Sequence, residues 1–347
     1  MDVVVVGAGI AGLATARRLF EAGLRVAVLE ARDRVGGRLL SARVDGVGLD
    51  LGATWFWPTE RRITRLIAEL GVATAPQHLH GDALLQLPTG VQRIDGNPID
   101  VTSGRFVHGA QALAEAVREQ LPPGAVRLER AVTAVEIVDG RLFARTPQER
   151  YVARHVVIAM APALAISAIR FTPELPGRLV DLARSTPVWM GAITKVVVEY
   201  ATAFWREEGL AGAAMSHVGP LREIHDMSGP DGRPAALFGF APPVSVGAPT
   251  ITAERVVHQL TTLFGSAAAS PTSVRIRDWR DEPFTSPPGV ERLNDYETFG
   301  HAAYTVPAAD GRLHWASTET ATESPGHIEG ALAAADRAAT AIIESPG

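Results

Sequence analysis

The chain has 347 residues, which gives room for about two domains, each with a sizeable hydrophobic core. Its net charge of -5 and the absence of a long basic run argue against a nucleic acid as partner. Because the chain has no cysteine, disulfides, cysteine-ligated metals and thiol nucleophiles are excluded. No stretch approaches the roughly 20 apolar residues of a membrane span, and no signal peptide is recognisable, so we expect a cytoplasmic protein without a membrane partner.

The first thirty residues predict a βαβ unit. An apolar, β-branched run at 2–6 indicates a buried strand, and a stretch rich in alanine, leucine and arginine at 13–22 has the spacing of a helix. A second apolar run at 25–30 indicates another buried strand. A glycine-rich turn joins the first strand to the helix, which is the order of elements in dinucleotide-binding folds.

Three glycines in that turn, Gly7, Gly9 and Gly12, have the spacing of the dinucleotide-binding fingerprint. The first permits a tight turn, the second lets backbone approach a diphosphate, and the third lets the helix pack closely on the strand. Glu30 ends the second strand, where a carboxylate accepts hydrogen bonds from ribose hydroxyls and would repel a 2′-phosphate. The cofactor-binding residues predicted in this unit are Gly7, Gly9, Ile10, Ala11, Gly12 and Glu30.

The next segment, ARDRVGGR at 31–38, places two adjacent glycines beside arginines. Bare backbone and guanidinium groups in one loop suit a second approach to the diphosphate. The alternative is a solvated, charged turn without a ligand. The candidate cofactor-binding residues in this segment are Ala31, Arg32, Gly36, Gly37 and Arg38.

The remaining patterns predict a mixture of helices and strands. Helices are predicted at 59–70, 111–121 and 326–343. Strands are predicted at 126–138, 141–152, 155–160, 192–200 and 311–317, the first two being antiparallel around a turn at Asp139 and Gly140. The glycine- and proline-rich stretch 216–249 has no pattern that we can assign. The predicted fold class is α/β with α+β.

The strand at 192–200 carries Lys195, the only lysine among the 33 lysine and arginine residues. An ammonium group inside an apolar run loses water, which lowers its pKa and makes it a proton carrier near neutrality. The alternative is an edge lysine whose ammonium reaches solvent. Because arginine supplies every other basic side chain, the single retained lysine favours the first interpretation, and Lys195 is the candidate catalytic residue.

The segments GAGIAGL at 7–13 and LEARDRVGGR at 29–38 together resemble the flavin-binding opening of the flavin-dependent amine oxidase family, which includes the monoamine oxidases. Further segments resemble parts of the same family in the same order. They lie at 51–55, 128–132, 192–205, 278–284 and 318–331. The resemblance implies a short, monoamine oxidase-like member of the family whose cofactor is FAD.

The resemblance also implies roles for individual residues. Segment 51–55 lies beside the flavin ring in the family, the backbone of Val132 matches a valine that holds the adenine, and Lys195 matches a lysine that holds a water next to flavin N5. Trp279 matches a flavin-contacting tryptophan, and segment 318–331 matches the one that closes over the isoalloxazine. The cofactor-binding residues implied are Gly52, Ala53, Thr54, Val132, Trp279, Thr318, Glu319, His327 and Ile328.

The sequence departs from the family at the substrate. Two aromatic rings usually flank the substrate amine in amine oxidases, and these positions fall near Pro288 and Gly289 and at His327. A histidine there can stack, hydrogen bond or move a proton, or it can be structural. We expect a substrate pocket that includes Trp55 and His327, and no metal. Some members tether FAD through a cysteine, so in this cysteine-free chain we expect noncovalent FAD.

The predicted architecture is a Rossmann-like FAD-binding domain of discontinuous segments together with a smaller sheet-based substrate domain. The FAD-binding domain is predicted to contain 1–76, 105–185 and 278–347. The substrate domain is predicted to contain 77–104 and 186–277. The first of its two segments is shorter than the helical insertion of many family members, so the substrate cover must come mainly from the second.

The function implied is FAD-dependent oxidation of a C–H bond next to an amine, with hydride transfer to flavin N5, hydrolysis of the imine and reoxidation by dioxygen to hydrogen peroxide. The partners are then a small-molecule amine and dioxygen, and a homodimer is left open. One alternative is a related flavin enzyme that desaturates a C–C bond or oxidises an amino acid or a reduced nucleotide. Another is a flavoprotein without catalytic activity.

Overall fold

The structure is a computed structural model that describes residues 1–138, 140–243 and 250–345. The described residues form the helices α1 (Ile10–Glu21), α2 (Arg61–Leu70), α3 (Gln111–Glu119), α4 (Pro162–Ala168), α5 (Gly177–Ser185), α6 (Phe204–Glu207), α7 (Ala253–Phe264), α8 (Ala308–Gly311) and α9 (Ile328–Ile343). They form the strands β1 (Val3–Val6), β2 (Val26–Leu29), β3 (Ser41–Val44), β4 (Val47–Asp50), β5 (Trp55–Phe56), β6 (Thr74–Pro76), β7 (Asp82–Leu87), β8 (Gly90–Ile94), β9 (Gly104–Phe106), β10 (Val126–Arg127), β11 (Ala134–Val138), β12 (Arg141–Arg145), β13 (Arg150–Ala153), β14 (His155–Ile158), β15 (Arg170–Thr172), β16 (Thr194–Tyr200), β17 (Leu210–Ser216), β18 (Glu223–Asp226), β19 (Ala235–Ala241), β20 (Ser273–Asp278) and β21 (Leu313–Trp315).

A five-stranded parallel sheet in the order β10-β2-β1-β14-β21 contains the predicted βαβ unit. Its central strand, β1, is buried at all four positions because helices and strands cover both faces of the sheet. Val3 and Val5 pack into one core with α1, α3 and α9. Val4 and Val6 pack into a second core with strands β11 to β13 and helices α4 and α5. This confirms the Rossmann-like α/β part of the predicted fold.

A seven-stranded mixed sheet in the order β20-β16-β19-β18-β17-β7-β8 forms the second large unit of structure. Helix α7 packs on one face through Val256 and Leu260. The opposite face carries Val197 and Phe238, which pack against Leu49 from the β3-β4 hairpin. Strand β16 lies between β20 and β19, so the lysine that it carries is held in the interior of a sheet.

Two sequence predictions need correction. The single strand predicted at 126–138 is two strands, because β10 joins the parallel sheet whereas β11 pairs antiparallel with β12. Between them, Glu129 has a positive φ of 55° and donates its backbone N–H to Arg32, which takes the chain out of the sheet. The strand predicted at 141–152 is likewise split into β12 and β13. Asp139, in the predicted turn, lies outside the described residues.

The stretch left unassigned at 216–249 contains the strands β18 and β19 in its described part, which ends at residue 243. Glycine- or proline-containing segments bound both strands, and β18, with the sequence EIHD, has no apolar run that could have marked it. Within the described ranges, no helix is long and apolar enough to cross a membrane.

Candidate active site

A cavity of about 700 Å³ is lined by residues from both large sheets. Its volume lies within the range of about 300–1000 Å³ that is usual for small-molecule and cofactor sites. The structure brings nearly all of the residues predicted from the sequence to this cavity. Those that line it are Gly7, Gly9, Ile10, Ala11, Glu30, Ala31, Arg32, Gly36, Gly37, Arg38, Gly52, Ala53, Thr54, Trp55, Val132, Lys195, Trp279, Thr318, His327 and Ile328. Gly12 and Glu319 do not line the cavity and lie behind residues that do.

The glycine loop forms one end of the cavity. Gly7 has a φ of 102°, which only glycine adopts readily, and Gly9 is the N-cap of α1 without a side-chain hydrogen bond from any described residue. A Cβ atom placed on Gly12 would lie 2.0 Å from the carbonyl oxygen of Gly7, so Gly12 is required for packing. A Cβ on Gly9 would meet no described atom within 4 Å, because that side of the residue faces the cavity.

Glu30 ties the two loops of this end together. Its Oε2 accepts a hydrogen bond of 2.7 Å from the backbone N–H of Ala8, and its Oε1 accepts one of 2.9 Å from that of Arg32. The side chain is buried, yet each carboxylate oxygen can accept a second hydrogen bond. Glu30 can therefore hold the loops in place and still bind a ribose hydroxyl.

The second loop approaches the first through backbone alone. The N–H of Gly36 donates to the carbonyl oxygen of Ala8 at 2.9 Å, and a Cβ on Gly37 would lie 3.4 Å from the Cα of Gly9. Gly36 and Gly37 both have positive φ values, of 103° and 57°. Glycines at these positions leave bare backbone from two loops at one end of the cavity, which suits a bound diphosphate.

Arg38 is oriented from behind by Glu319. The Arg38 guanidinium donates to both carboxylate oxygens of Glu319, at 2.6 and 3.1 Å, and to the carbonyl oxygen of Trp189 at 3.1 Å. Glu319 is completely buried, and although burial by itself raises its pKa, the Arg38 charge and hydrogen bonds outweigh that and lower the pKa. Glu319 was predicted to bind the cofactor, but it reaches the cavity only through Arg38.

These features fit FAD. The free N–H groups at the start of α1, the open face of Gly9 and the Arg38 guanidinium form a cradle for a diphosphate, while Glu30 lies where a ribose would bind. Val132, which the sequence places at the adenine, lines the same cavity, although segment 128–132 is not a strand. The residues present therefore suit the cofactor that the sequence implies.

Lys195 lies on the other wall of the cavity and is 2% exposed, so the interpretation of an edge lysine that reaches solvent is wrong. Its Nζ donates to the carbonyl oxygen of Gly52 at 2.8 Å and to the hydroxyl of Thr54. It also lies 4.3 Å from the centre of the Phe238 ring. Burial lowers the pKa of Lys195 to about 7 against the opposing charge of Asp50. The ammonium can therefore lose its proton near neutral pH.

Asp50 supplies the nearest opposing charge to that lysine. It is buried, and its Oδ1 accepts hydrogen bonds from the Ser41 hydroxyl at 2.6 Å and from the backbone N–H of Ala110 at 2.8 Å. Burial raises the pKa of Asp50 to about 6, with the Lys195 charge opposing the shift. Asp50 and Lys195 thus form a buried acid–base pair in which each charge favours the ionised form of the other, and no sequence pattern had pointed to Asp50.

An aromatic wall faces the lysine side of the cavity. Trp55 and Trp57 line it, whereas the ring of Phe56, between them, packs on Phe106 in the core at 5.2 Å between ring centres. The alternation follows from the extended backbone of β5, which sends successive side chains to opposite sides. The ring of His327 stacks on Trp57 at a centre-to-centre distance of 4.7 Å and an interplanar angle of 28°.

Several lining residues were missed by the sequence analysis. The hydrogen-bond register places Phe240 opposite both Lys195 and Glu223, and both Phe240 and Glu223 line the cavity. Their strands lie in or beside the unassigned glycine- and proline-rich stretch, so no pattern marked them. Trp189 and Met190 also line the cavity, and only their position just before the lysine strand could have suggested this.

Comparison with known proteins identifies the family. The chain matches the family model described as "Flavin containing amine oxidoreductase" over residues 10–104 and 101–343. AofH of Mycobacterium tuberculosis, which is named as a flavin-containing monoamine oxidase, is 29% identical over 99% of this chain and 96% of its own length. Flavin-containing amine oxidase B of Sus scrofa is 26% identical over 100% of this chain and 86% of its own length. The AofH alignment runs over 445 positions, so AofH has insertions that this chain of 347 residues lacks.

Solved structures share the fold. Putrescine oxidase bound to putrescine has a TM-score of 0.86 at 23% identity, and the match covers 99% of both chains. Cyclohexylamine oxidase from Brevibacterium oxydans IH-35A has a TM-score of 0.85 at 23% identity over 99% of this chain and 98% of that one. The family match extends over nearly the whole chain, and the cavity has the residues that FAD requires. The protein is therefore an FAD-dependent oxidoreductase of the flavin-containing amine oxidoreductase family.

Proposed function

We propose that this protein oxidises a small amine at the carbon next to nitrogen, giving an imine that water hydrolyses. The observation that carries the proposal is a buried lysine with a lowered pKa in the same cavity as the flavin-binding loops. FAD, when bound, accepts the hydride equivalent at N5 and is reoxidised by dioxygen, which becomes hydrogen peroxide. The amine CH–NH₂ unit loses two electrons and two protons in becoming C=NH, and water then releases the carbonyl product.

Lys195 is proposed to hold and exchange a proton beside the reacting centre. An ammonium group has three N–H donors, and Gly52 and Thr54 accept two of them. The third is then available to a water molecule in the cavity, as the family resemblance implies. Because burial brings the pKa of Lys195 to about 7, the same nitrogen can also accept a proton.

The remaining wall residues are proposed to bind and orient. The aromatic rings of Trp55, Trp57 and Phe240 exclude water from the carbon that loses hydride. The loops around Gly9, Gly37 and Arg38 bind the diphosphate. The choice of an amine substrate is supported by the relatives, which are named as monoamine oxidases, and by the putrescine and cyclohexylamine oxidases of the same fold.

Lys195→Met tests the lysine, because methionine has a similar length and no ionisable nitrogen. We expect flavin reduction by amine, or reoxidation by dioxygen, to slow by at least about tenfold, the usual scale for a lost proton-transfer group being 10²–10⁴. Stopped-flow absorbance of the flavin measures both steps. Arg275→Met is the matched control, because it removes a half-exposed cation from the neighbouring strand β20. Unchanged rates in both steps would show that Lys195 has no such role.

The substrate class is tested by anaerobic flavin reduction with primary amines, diamines, amino acids and reduced nicotinamides. We expect an amine to reduce the flavin fastest. Faster reduction by an amino acid or a reduced nicotinamide would support the alternative oxidases. A colourless protein that fails to take up FAD would contradict the proposed function altogether.

A further inference from the structure

A glutamate and a histidine form a hydrogen-bonded pair at the wall of the cavity. The Nδ1 of His327 lies 2.7 Å from Oε1 of Glu60, which precedes α2 as its N-cap residue. The other carboxylate oxygen of Glu60 accepts a hydrogen bond of 2.9 Å from the backbone N–H of Trp57. Glu60 is 8% exposed, whereas the His327 side chain is 38% exposed and lines the cavity. The proposed function so far uses neither residue for proton transfer.

This geometry selects one tautomer of the histidine. A carboxylate only accepts hydrogen bonds, so the ring proton lies on Nδ1 and the lone pair lies on Nε2. Within the described ranges, Nε2 has no hydrogen-bond partner, and the ring borders the cavity. The ring of Trp57 stacks on the imidazole and fixes its plane. The arrangement is that of a base oriented by a buried carboxylate.

An amine substrate requires such a base. Alkylamines have pKa values close to that of lysine, about 10.4, so they reach the site as ammonium ions at neutral pH. An ammonium nitrogen has no lone pair with which to assist the loss of hydride from its carbon. One proton must therefore leave nitrogen before, or together with, the oxidation.

We propose that His327 is a catalytic base that takes this proton at Nε2, and that Glu60 is its positioning residue. In the step, one N–H bond of the substrate ammonium breaks and an N–H bond to Nε2 forms, while no electron reaches the flavin. The proposal rests on the proposed amine oxidation. It assigns a proton-accepting role to His327, at a position where the family resemblance implies an aromatic ring.

The charges around the pair support its separate role. Arg62, close by on α2, is neutralised by Glu329 at 3.2 Å and by Glu323 at 2.9 Å, and it also contacts Asp336 at 3.3 Å. Glu329 in addition accepts the backbone N–H groups of Arg62 and Ile63. Other carboxylates at or behind the cavity wall face their own cations: Glu319 faces Arg38, Asp50 faces Lys195, Glu30 and Glu282 face Arg32, and Glu223 faces His225. Because these other carboxylates are engaged elsewhere, Glu60 is the carboxylate that forms the hydrogen bond with His327.

The first test is ¹⁵N NMR of the histidine rings in the FAD-loaded protein. The probe is 2-phenylpropan-2-amine, which has no hydrogen on the carbon next to nitrogen and cannot be oxidised. Spectra at about pH 8.5 lie between the ordinary pKa values of histidine and an alkylamine. Loss of the signals in His327→Asn assigns the ring.

We expect the ring proton of His327 to lie on Nδ1 in the free protein, and the Nε2 signal to shift when the amine is added, because the ammonium donates a hydrogen bond to Nε2. In Glu60→Gln the preference for this tautomer should weaken. A ring protonated on Nε2 in the free protein, or an Nε2 signal that the amine leaves unchanged, would overturn the proposal.

The second test is the pH profile of anaerobic flavin reduction. His327→Phe retains a ring for stacking but removes the base, and we expect the rate at pH 7 to fall about 10²-fold. The loss should shrink by about tenfold per pH unit and disappear near pH 9, because the free amine then replaces the ammonium. A loss that is the same at every pH would show that His327 only shapes the pocket.

Variants of Glu60 test its role as the positioning residue of His327. We expect a loss of about tenfold in Glu60→Gln and partial recovery in Glu60→Asp, which keeps the charge. Glu69→Gln, at the exposed end of the same helix, is the matched control and should behave as wild type. If His327→Phe does not load with FAD, His327→Asn and the NMR spectra of the wild type still decide the question.

The tests separate this proposal from the one on which it rests. If no amine reduces the flavin of the wild-type protein, the proposed function fails. If amines reduce it but the Nε2 signal and the pH profile do not respond as expected, amine oxidation stands and only the role of His327 is wrong.

Discussion

At the scale of single residues, Gly9 and Gly12 both lie at the start of α1 but have opposite reasons to be glycine. Gly12 has no room for a side chain, since a Cβ atom would collide with the Gly7 carbonyl oxygen and approach Ala159 Cβ to 3.0 Å. Gly9 has room, a φ of -68° that alanine adopts easily, and an open side that faces the cavity. One glycine therefore serves the fold and the other serves the ligand.

Gly9→Ala and Gly12→Ala should separate these effects. We expect Gly9→Ala to leave the stability of the FAD-free protein unchanged and to weaken FAD binding by at least about tenfold, because its methyl group occupies the approach of the diphosphate. Gly12→Ala should destabilise the FAD-free protein by about 1–3 kcal/mol through overpacking. Thermal unfolding without FAD and titration with FAD measure the two effects. Equal loss of stability in both variants would contradict the distinction.

Residue-scale prediction from the sequence succeeded where function depends on local backbone. The spacing of Gly7, Gly9 and Gly12 identifies a turn whose geometry is set within six residues. The pair of Glu60 and His327 could not be predicted in this way, because its members are 267 positions apart and meet only when α2 and α9 pack together. Lys195 was identified by composition, but its partners Gly52 and Thr54 come from a distant segment.

At the scale of elements, the neighbours of a strand determine what its residues can do. The sequence predicted a strand around Lys195 but not its place in the sheet, because β18 and β19 lie in a stretch without an assignable pattern. The register aligns Lys195 with Phe240 and Phe240 with Glu223. Two strand spacings of about 4.8 Å place the backbones of Lys195 and Glu223 about 10 Å apart. A lysine, an aromatic ring and a carboxylate thus follow one another across one sheet face.

The same strand β18 holds a buried histidine between two acids. His225 is 2% exposed, with Nδ1 2.6 Å from Asp100 and Nε2 3.0 Å from Glu223. Its ring stacks on Phe238 and meets the edge of Trp55. Burial by itself lowers the pKa of His225, but the two hydrogen-bonded carboxylates outweigh burial and raise it. The cluster therefore joins the loop between β8 and β9, which carries Asp100, to the seven-stranded sheet when the histidine is charged.

This cluster predicts a pH-dependent contribution to stability. Because the folded-state pKa of His225 is raised, its stabilisation is complete below the ordinary histidine pKa of about 6.5 and is lost as pH rises through the folded-state value. The free energy of unfolding of the wild type should exceed that of His225→Asn by about 2 kcal/mol at pH 5.5, and the difference should shrink toward pH 9. Urea unfolding measures it, with exposed His258→Asn as control. A difference in the free energy of unfolding that grows with pH would contradict a raised pKa of His225 in the folded protein.

At the scale of the whole molecule, the cavity exists because segments far apart in the chain meet. Lys195 of the seven-stranded sheet bonds to Gly52, 143 positions away, and Arg38 bonds to Glu319, 281 positions away. Each contact connects a wall of the cavity to another part of the chain. The glycine loop contributes a third wall from the parallel sheet. A ligand that touches all of these walls must therefore couple their stabilities.

FAD should accordingly stabilise the protein as a whole. A ligand that binds only the folded state adds about 2.7 kcal/mol to the free energy of unfolding at a concentration one hundred times its dissociation constant. We expect FAD-free protein to unfold at a lower temperature than loaded protein and the midpoint to rise with added FAD, in both the near-ultraviolet and far-ultraviolet circular dichroism signals. Gly9→Ala should begin from the same FAD-free midpoint and need more FAD for the same rise. Two separate unfolding steps, of which FAD raised only one, would show that the cofactor does not couple the two sheets.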